Sequence, residues 1–322
     1  MGKSGQVLGR QAGVRLGTQV PRPGIKQMSS HSQDPDAGLE PVYAAPAYAC
    51  DAHFHIFGSK ERYPYGSDLR YEPPYEPLEA YLKLARRLGF ERFVFVQPSA
   101  YGYDNSCMFD AMRETAPASR RGIVDADEGA LTDRQLSEWH QLGVRGIRVN
   151  ISPVRRPEAG LAAAMLPRIA RLVAVCRELG WHLDFLTPGW LTSELMPTLR
   201  ELPVEFSVAH FGLFPAKDGV DQRGFQEFLS LVSDGSGRCW VKLTGIYRFS
   251  SAPDFADVKP FAEALIAMAP QQLIWGSDFP HLSFHDRVGT IQLYNTLGEW
   301  APSPATRKLI LTDNPARLFG FG

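Results

Sequence analysis

The chain reads as an α/β protein, a closed (β/α)8 TIM barrel, on three observations. Eight short β-type runs alternate with eight helix-type runs. The 322 residues, 44% of them hydrophobic, are enough for one large core. No G-x-G-x-x-G follows the first strand, as a doubly wound dinucleotide fold would require.

The expected strands cover residues 48–57, 92–99, 121–127, 144–151, 182–187, 205–211, 239–247 and 273–279. Each is short, rich in Val, Ile and Phe, and punctuated by Gly, Pro or Asp. Helical patterns fill the intervals at 78–88, 105–115, 132–142, 161–179, 193–202, 223–232, 255–268 and 287–297. Several stop at a glycine, as in Leu88-Gly89, Leu142-Gly143 and Leu179-Gly180. Before the barrel domain (46–322), residues 1–45 are expected to form a disordered extension. Its first thirty residues hold five basic side chains (Lys3, Arg10, Arg15, Arg22, Lys26), no acidic ones and no amphipathic period. It lacks the apolar core of a secretory signal. A weak organelle-targeting sequence or an over-long start, with Met28 as initiator, are the two other readings.

A net charge of −1 gives no reason to expect nucleic acid or a membrane surface as partner. Cys50, Cys107, Cys176 and Cys239 contain no C-x-x-C pair, so neither a disulfide framework nor a thiolate zinc site is indicated. A cytoplasmic setting is the default expectation, and no apolar run reaches the roughly 18 residues of a membrane span.

In a barrel, chemistry belongs at the C-terminal ends of the strands. Asp51-Ala52-His53-Phe54-His55 ends the first, with two imidazoles at i and i+2 on one face, about 7 Å apart at Cα. His210 ends the sixth, and Asp278 lies near the end of the eighth. Four groups able to ligate metal or move protons therefore meet at one mouth. Arg148 ends the fourth strand, Arg155 and Arg156 lie in the loop after it, and Arg248 follows the seventh. Guanidinium forks suit a small anionic ligand, and which of Arg155 and Arg156 faces the site is left to the loop geometry. Arg145 shares parity with Ile147, so a salt bridge or carbonyl contact at the wall or bottom is expected. His182 starts its strand at the wrong end of the barrel. His140 and His31 are not site candidates, and His285 has no positional partner. His281 either fixes its loop or assists the chemistry.

With these residues in place, the chain resembles the amidohydrolase superfamily, and within it the amidohydrolase-related branch that includes 2-pyrone-4,6-dicarboxylate lactonases. The resemblance runs through Cys50 to Gly58, Arg70-Tyr71 and the prolines after it, Val96-Gln97, Gly102 to Asn105, Gly143 to Asn150, His210-Phe211-Gly212, Trp275 to His281 and Asp313 to Leu318. It implies lactone hydrolysis centred on His53, His55, His210 and Asp278, with Asp278 as general base. It also implies substrate contacts from Arg148, Arg155, Arg156 and Arg248, helped by Tyr71, Ser99 and Tyr101. Any metal would sit on the same three histidines and Asp278. The branch implies no required cofactor, or one optional zinc, and a binuclear site is not expected, since Arg148 and Asn150 stand on the fourth strand where a metal-bridging Lys or Glu would be. Two departures, Leu213 for an arginine and an apolar residue near Leu186 for a tyrosine, imply that one end of the ligand differs: a monocarboxylate, sulfonated or sugar-acid lactone fits as well. The alternatives are a sugar-acid lactone isomerase, a zinc-dependent decarboxylase and a non-catalytic carboxylate-binding barrel. A homo-oligomer is compatible with this kind of barrel.

Overall fold

The structure is a computed structural model that describes residues 35–67, 69 and 71–322. Most of the expected extension (1–34), and Arg70 from the resemblance motif, lie outside the described residues. Eight strands, β1 (Cys50–Phe54), β2 (Arg92–Val96), β3 (Arg120–Val124), β4 (Val144–Asn150), β5 (His182–Leu186), β6 (Phe206–Val208), β7 (Cys239–Leu243) and β8 (Leu273–Trp275), lie in sequential order. Each of the seven neighbouring pairs is parallel. Between and after them run α1 (Leu78–Leu88), α2 (Ser106–Arg113), α3 (Asp133–Leu142), α4 (Leu161–Leu179), α5 (Gly189–Glu201), α6 (Arg223–Val232), α7 (Lys259–Met268) and α8 (Thr290–Trp300). The chain finishes with α9 (Pro304–Lys308) and α10 (Asn314–Phe319).

The seam between β8 and β1 is closed by backbone bonds beyond the last strand. Asp278 N–H donates to His53 O at 2.8 Å, and His55 N–H donates to Phe279 O at 2.8 Å. Asp51 Oδ1 accepts Ser277 N–H at 2.9 Å. Gly276 makes this approach possible, because a Cβ there would stand 2.6 Å from His53 N and Cβ.

Two apolar layers hold the fold. The larger packs the helices on the outside of the sheet. The smaller joins Cys50, Ala52, Val94, Val96, Ile123, Trp240 and Ile274 from five strands, with Phe319 and Phe321 beneath them. Residues from so many strands meet only inside the barrel, so this cluster is its filled lower half. The register of β1 on β2 is irregular between Asp51 and Phe54. That irregularity lets His53 and His55 face the interior that Cys50 and Ala52 already line.

The expected strands overran at their C-terminal ends. The sixth stops at Val208 and the eighth at Trp275, so His210 and Asp278 sit in the loops rather than on strands. The expected fifth helix begins four residues earlier, at Gly189, and the seventh four later, at Lys259. The boundary drawn at residue 45 also moves. Asp36 accepts the N–H groups of Ile291 and Gln292 at 3.0 and 3.2 Å, capping the start of α8. Val42 N–H donates to Asn295 Oδ1 at 2.9 Å, and Tyr43 stacks on Tyr294 with ring centroids 4.4 Å apart. Residues 36–43 are therefore part of the packed body, because a carboxylate and an aromatic ring find partners on α8 that no local pattern reveals.

Candidate active site

Four of the predicted groups converge at the mouth. His53 Nε2 lies 3.6 Å and His55 Nε2 3.5 Å from Asp278 Oδ1. One nitrogen from each of His53 and His210 and one Asp278 oxygen lie within 4.8 Å of one another. All are buried, and His53 Nε2, His210 Nδ1 and Asp278 Oδ1 have no hydrogen-bond partner among the described residues. Such a gathering of buried polar groups, with His53 Nε2 and Asp278 Oδ1 unpaired, is what a ligand or ion would satisfy.

The local backbone explains how they get there. His210, Phe211, Gly212 and Leu213 are consecutively left-handed (φ 53°, 57°, 77° and 56°), and Asp278 is too, at φ 57°. Non-glycine residues in this region carry about 1–3 kcal/mol of strain each, which surrounding packing must hold. Gly245 packs against His210, where a Cβ would approach Nδ1 to 2.3 Å.

Asp278 is clamped from its other side. Its Oδ2 accepts Tyr247 Oη–H at 2.5 Å, Arg248 Nε–H at 2.9 Å and an Arg248 Nη2 contact at 2.9 Å. Burial acts to raise its pKa, but Arg248 and the histidines outweigh that and hold the carboxyl well below the ordinary carboxylate range. Arg248 is raised because Asp278 offsets the cost of its burial. Burial pulls His210 down to about 3 and keeps His53 well below the usual imidazole value, with Lys242 and His55 adding to the effect there. His55 gives its Nδ1–H to Val96 O at 2.8 Å, so its Nε2 presents a lone pair toward Asp278.

The remaining predictions separate. Arg148 is buried, donates to Gln97 O at 2.7 Å and stands 3.3 Å from Asp184; its Nε and Nη2 lack a hydrogen-bond acceptor among the described residues. Tyr71 Oη and Ser99 Oγ meet at 3.3 Å, with Tyr71 within the fields of both Arg148 and Arg248. Arg248 is committed to Asp278 by two nitrogens. Tyr101 is committed as well: its hydroxyl accepts Gly58 N–H at 3.1 Å, so it organises the loop after β1. Arg155 pairs with Glu158 in its own loop, and Arg156 is exposed. Neither is brought to the cluster. Leu186 and Leu213 are buried, as apolar side chains at these places should be.

Three residues escaped the sequence reading. Tyr247 holds Asp278 and is itself met by His281 Nδ1 at 3.3 Å, while His281 Nε2 bonds Thr290 Oγ1 at 2.8 Å. His281 thus supports the tyrosine. Below the histidines, Lys242 Nζ lies 2.6 Å from Asp184 Oδ1, and Ser207 Oγ donates to the same oxygen at 2.7 Å. Lys242 and Asp184 are fully buried. Their signal was present: a lysine inside Cys239-Trp240-Val241-Lys242-Leu243 and an aspartate inside His182-Leu183-Asp184-Phe185-Leu186 are charges in strands otherwise apolar, and charges are almost never fully buried unpaired.

The amidohydrolase family model matches residues 50–321, nearly all of the described body. This chain belongs to the amidohydrolase family. Among its relatives, this amidohydrolase is 36% identical to a 4-sulfomuconolactone hydrolase of Rhizobium radiobacter, over 89% of this chain and 95% of that protein. It is 30% identical to a 2-pyrone-4,6-dicarboxylate hydrolase of Comamonas testosteroni, over 87% and 92%. A solved Pseudomonas putida structure with a provisional 2-pyrone-4,6-dicarboxylic acid hydrolase assignment superposes with a TM-score of 0.74 at 33% identity, covering 85% of this amidohydrolase and 98% of that chain. Both curated relatives are lactone hydrolases. Among the described residues, no helix is long and apolar enough to cross a membrane.

Proposed function

We propose that this amidohydrolase opens the ring of a small anionic lactone, a carboxylated or sulfonated muconolactone or pyrone, by attack of water on the ring carbonyl. The observation that carries this reading is the convergence of His53, His210 and Asp278, with His53 Nε2 and Asp278 Oδ1 left without a hydrogen-bond partner among the described residues, beside a buried guanidinium, Arg148, with donors to spare. Arg148, with Tyr71 and Ser99, takes the acidic substituent and so fixes the carbonyl over the cluster. Asp278 Oδ1 orients the attacking water and accepts its proton, with the His55 Nε2 lone pair 3.5 Å away sharing the load. That sharing matters because Arg248 and Tyr247 leave the Asp278 carboxylate a weak base on its own. The same proton then returns to the leaving ring oxygen.

The donor set also fits one divalent cation, since two imidazole nitrogens and a carboxylate oxygen within 4.8 Å of one another are of the types that zinc takes. His53, His210 and Asp278 would hold it, and it would supply Lewis-acid polarisation of the carbonyl. The test is turnover of 2-pyrone-4,6-dicarboxylate and of 4-sulfomuconolactone by purified protein, followed by ultraviolet absorbance with and without prior chelation. Hydrolysis of either supports the reading, and its persistence after chelation supports the metal-free route. Inertness toward both, in metal-loaded and chelated samples alike, overturns the substrate class.

A further inference from the structure

We infer that Lys242 is a positioning residue that fixes the hydrogen-bonding form of His53 and thereby weakens metal binding at the mouth. The evidence is the asymmetry between two histidines two residues apart. His55 faces a backbone carbonyl with its Nδ1, at 2.8 Å from Val96 O, and a carbonyl can only accept. His55 therefore carries its proton on Nδ1 and offers Nε2 as a lone pair. His53 faces the opposite partner. Its Nδ1 lies 3.3 Å from Lys242 Nζ, and an ammonium can only donate.

Lys242 is held in the donor role by its other neighbour. Asp184 Oδ1 stands 2.6 Å from Nζ, and Arg148 and Ser207 complete the carboxylate's surroundings. Every member of this network is buried. A neutral His53 that accepts at Nδ1 carries its proton on Nε2, the atom 3.6 Å from Asp278 Oδ1. The adjacent imidazoles then present opposite characters to the same carboxylate oxygen: an N–H from His53 and a lone pair from His55.

This bears directly on the cation site. A neutral histidine ligates metal through a bare nitrogen and gives its other N–H to an acceptor, and removing such a supporting partner typically alters metal affinity about 10–100-fold. At His53 the supporting partner has the wrong polarity. Ligation through Nε2 would turn an Nδ1–H toward an ammonium. Lys242 thus disfavours the ion that the donor set otherwise fits, and favours a mouth in which His53 donates a hydrogen bond.

The experiment is 15N–13C correlation NMR of histidine-labelled full-length protein after chelation, with His53 assigned by the loss of its signals in His53→Gln. Alongside it, zinc affinity is measured by competition with a chelating dye, in wild type, in Lys242→Met and in Asp184→Asn/Lys242→Met. The double variant removes the buried charge pair together, so that neither charge is left alone. The expected result is an Nε2–H His53 in wild type, a measurable gain of the Nδ1–H form of His53 in a folded variant, and zinc bound at least about tenfold more tightly by that variant. A wild-type His53 that is Nδ1–H overturns the inference, even if neither variant folds. Unchanged tautomer or unchanged or weaker zinc binding in a folded variant overturns it too. Neither readout depends on which lactone is turned over.

Discussion

The two ends of the barrel use the same side chains in opposite ways. At the floor, Arg120 donates to the carbonyls of Met112, Thr115 and Leu142, and Arg121 to those of Pro117, Phe319, Arg120 and Gly320. Arg145 gives its protons to His140 O and Val144 O, as its place in the strand led one to expect. These guanidiniums are spent on backbone acceptors at the ends of helices and strands, and Arg121 also covers the Phe321 ring, as does Arg92. At the mouth, Arg148 and Arg248 face carboxylates, and around them lie atoms that nothing in the described residues satisfies. A cation whose donors are all used stabilises the fold, whereas one beside unsatisfied partners is available to a ligand.

The sharpest way to break this contrast is Asp278→Asn. Losing the carboxylate proposed to orient water should lower kcat/KM by about a thousandfold or more while the fold survives, since general acid–base groups contribute about 10²–10⁴. A near-normal rate would show that the mouth does not work through Asp278. Next in size is the floor counterpart, Arg121→Met. Deleting its bonds to four carbonyls should cost about 3 kcal/mol of stability in denaturant unfolding and leave the kcat/KM of the folded enzyme within about twofold. A large loss of catalysis with unchanged stability would erase the distinction between the two ends.

Acid should sharpen the comparison further, because each end buries an uncharged histidine. Burial lowers His182 at the floor and His281 near the mouth, each to about 4. Below pH 6.5 the unfolded chain takes up these protons while the folded one does not, so the stability is complete above 6.5 and declines as the pH falls toward 4. At pH 5 each group should have withdrawn about 2 kcal/mol. Guanidinium midpoints at pH 7 and pH 5 measure the total, and His182→Gln should shrink the difference by roughly half of that pair's share. A midpoint that does not move between the two pH values refutes it. The smallest effect belongs to Arg155→Ala. With its guanidinium tied to Glu158 outside the cluster, kinetics on an anionic lactone should change by less than about twofold. A marked rise in KM would place that loop in the site.

His53, His55, His210 and Asp278 were legible in the chain because strand parity and position at strand ends are short-range properties. The same applies to the exclusion of His182, which bonds Arg145 O at 2.8 Å at the floor. Arg155, Arg156 and Tyr101 show where such reasoning stops. A residue can be placed near a mouth by sequence position, but whether its polar atoms are engaged elsewhere depends on partners that position does not reveal, Glu158 for Arg155 and the Gly58 N–H for Tyr101. Lys242 and Asp184 were visible as charges in apolar strands, yet their meaning required knowing that β5 and β7 turn them toward each other and toward His53.

The sequence by itself determined the alternation of strands and helices, the barrel class and the four residues at its mouth. Each follows from local period, local punctuation and the rule that strand ends carry the chemistry. Tertiary structure alone decided which polar atoms are left unpaired, which arginines are spent, and that Tyr247, His281 and Lys242 pack against the four mouth residues and their partners. Those facts are pairings of hydrogen-bond donors with acceptors across distant strands, and a polar atom's role is set by the partner that folding brings within about 3 Å of it.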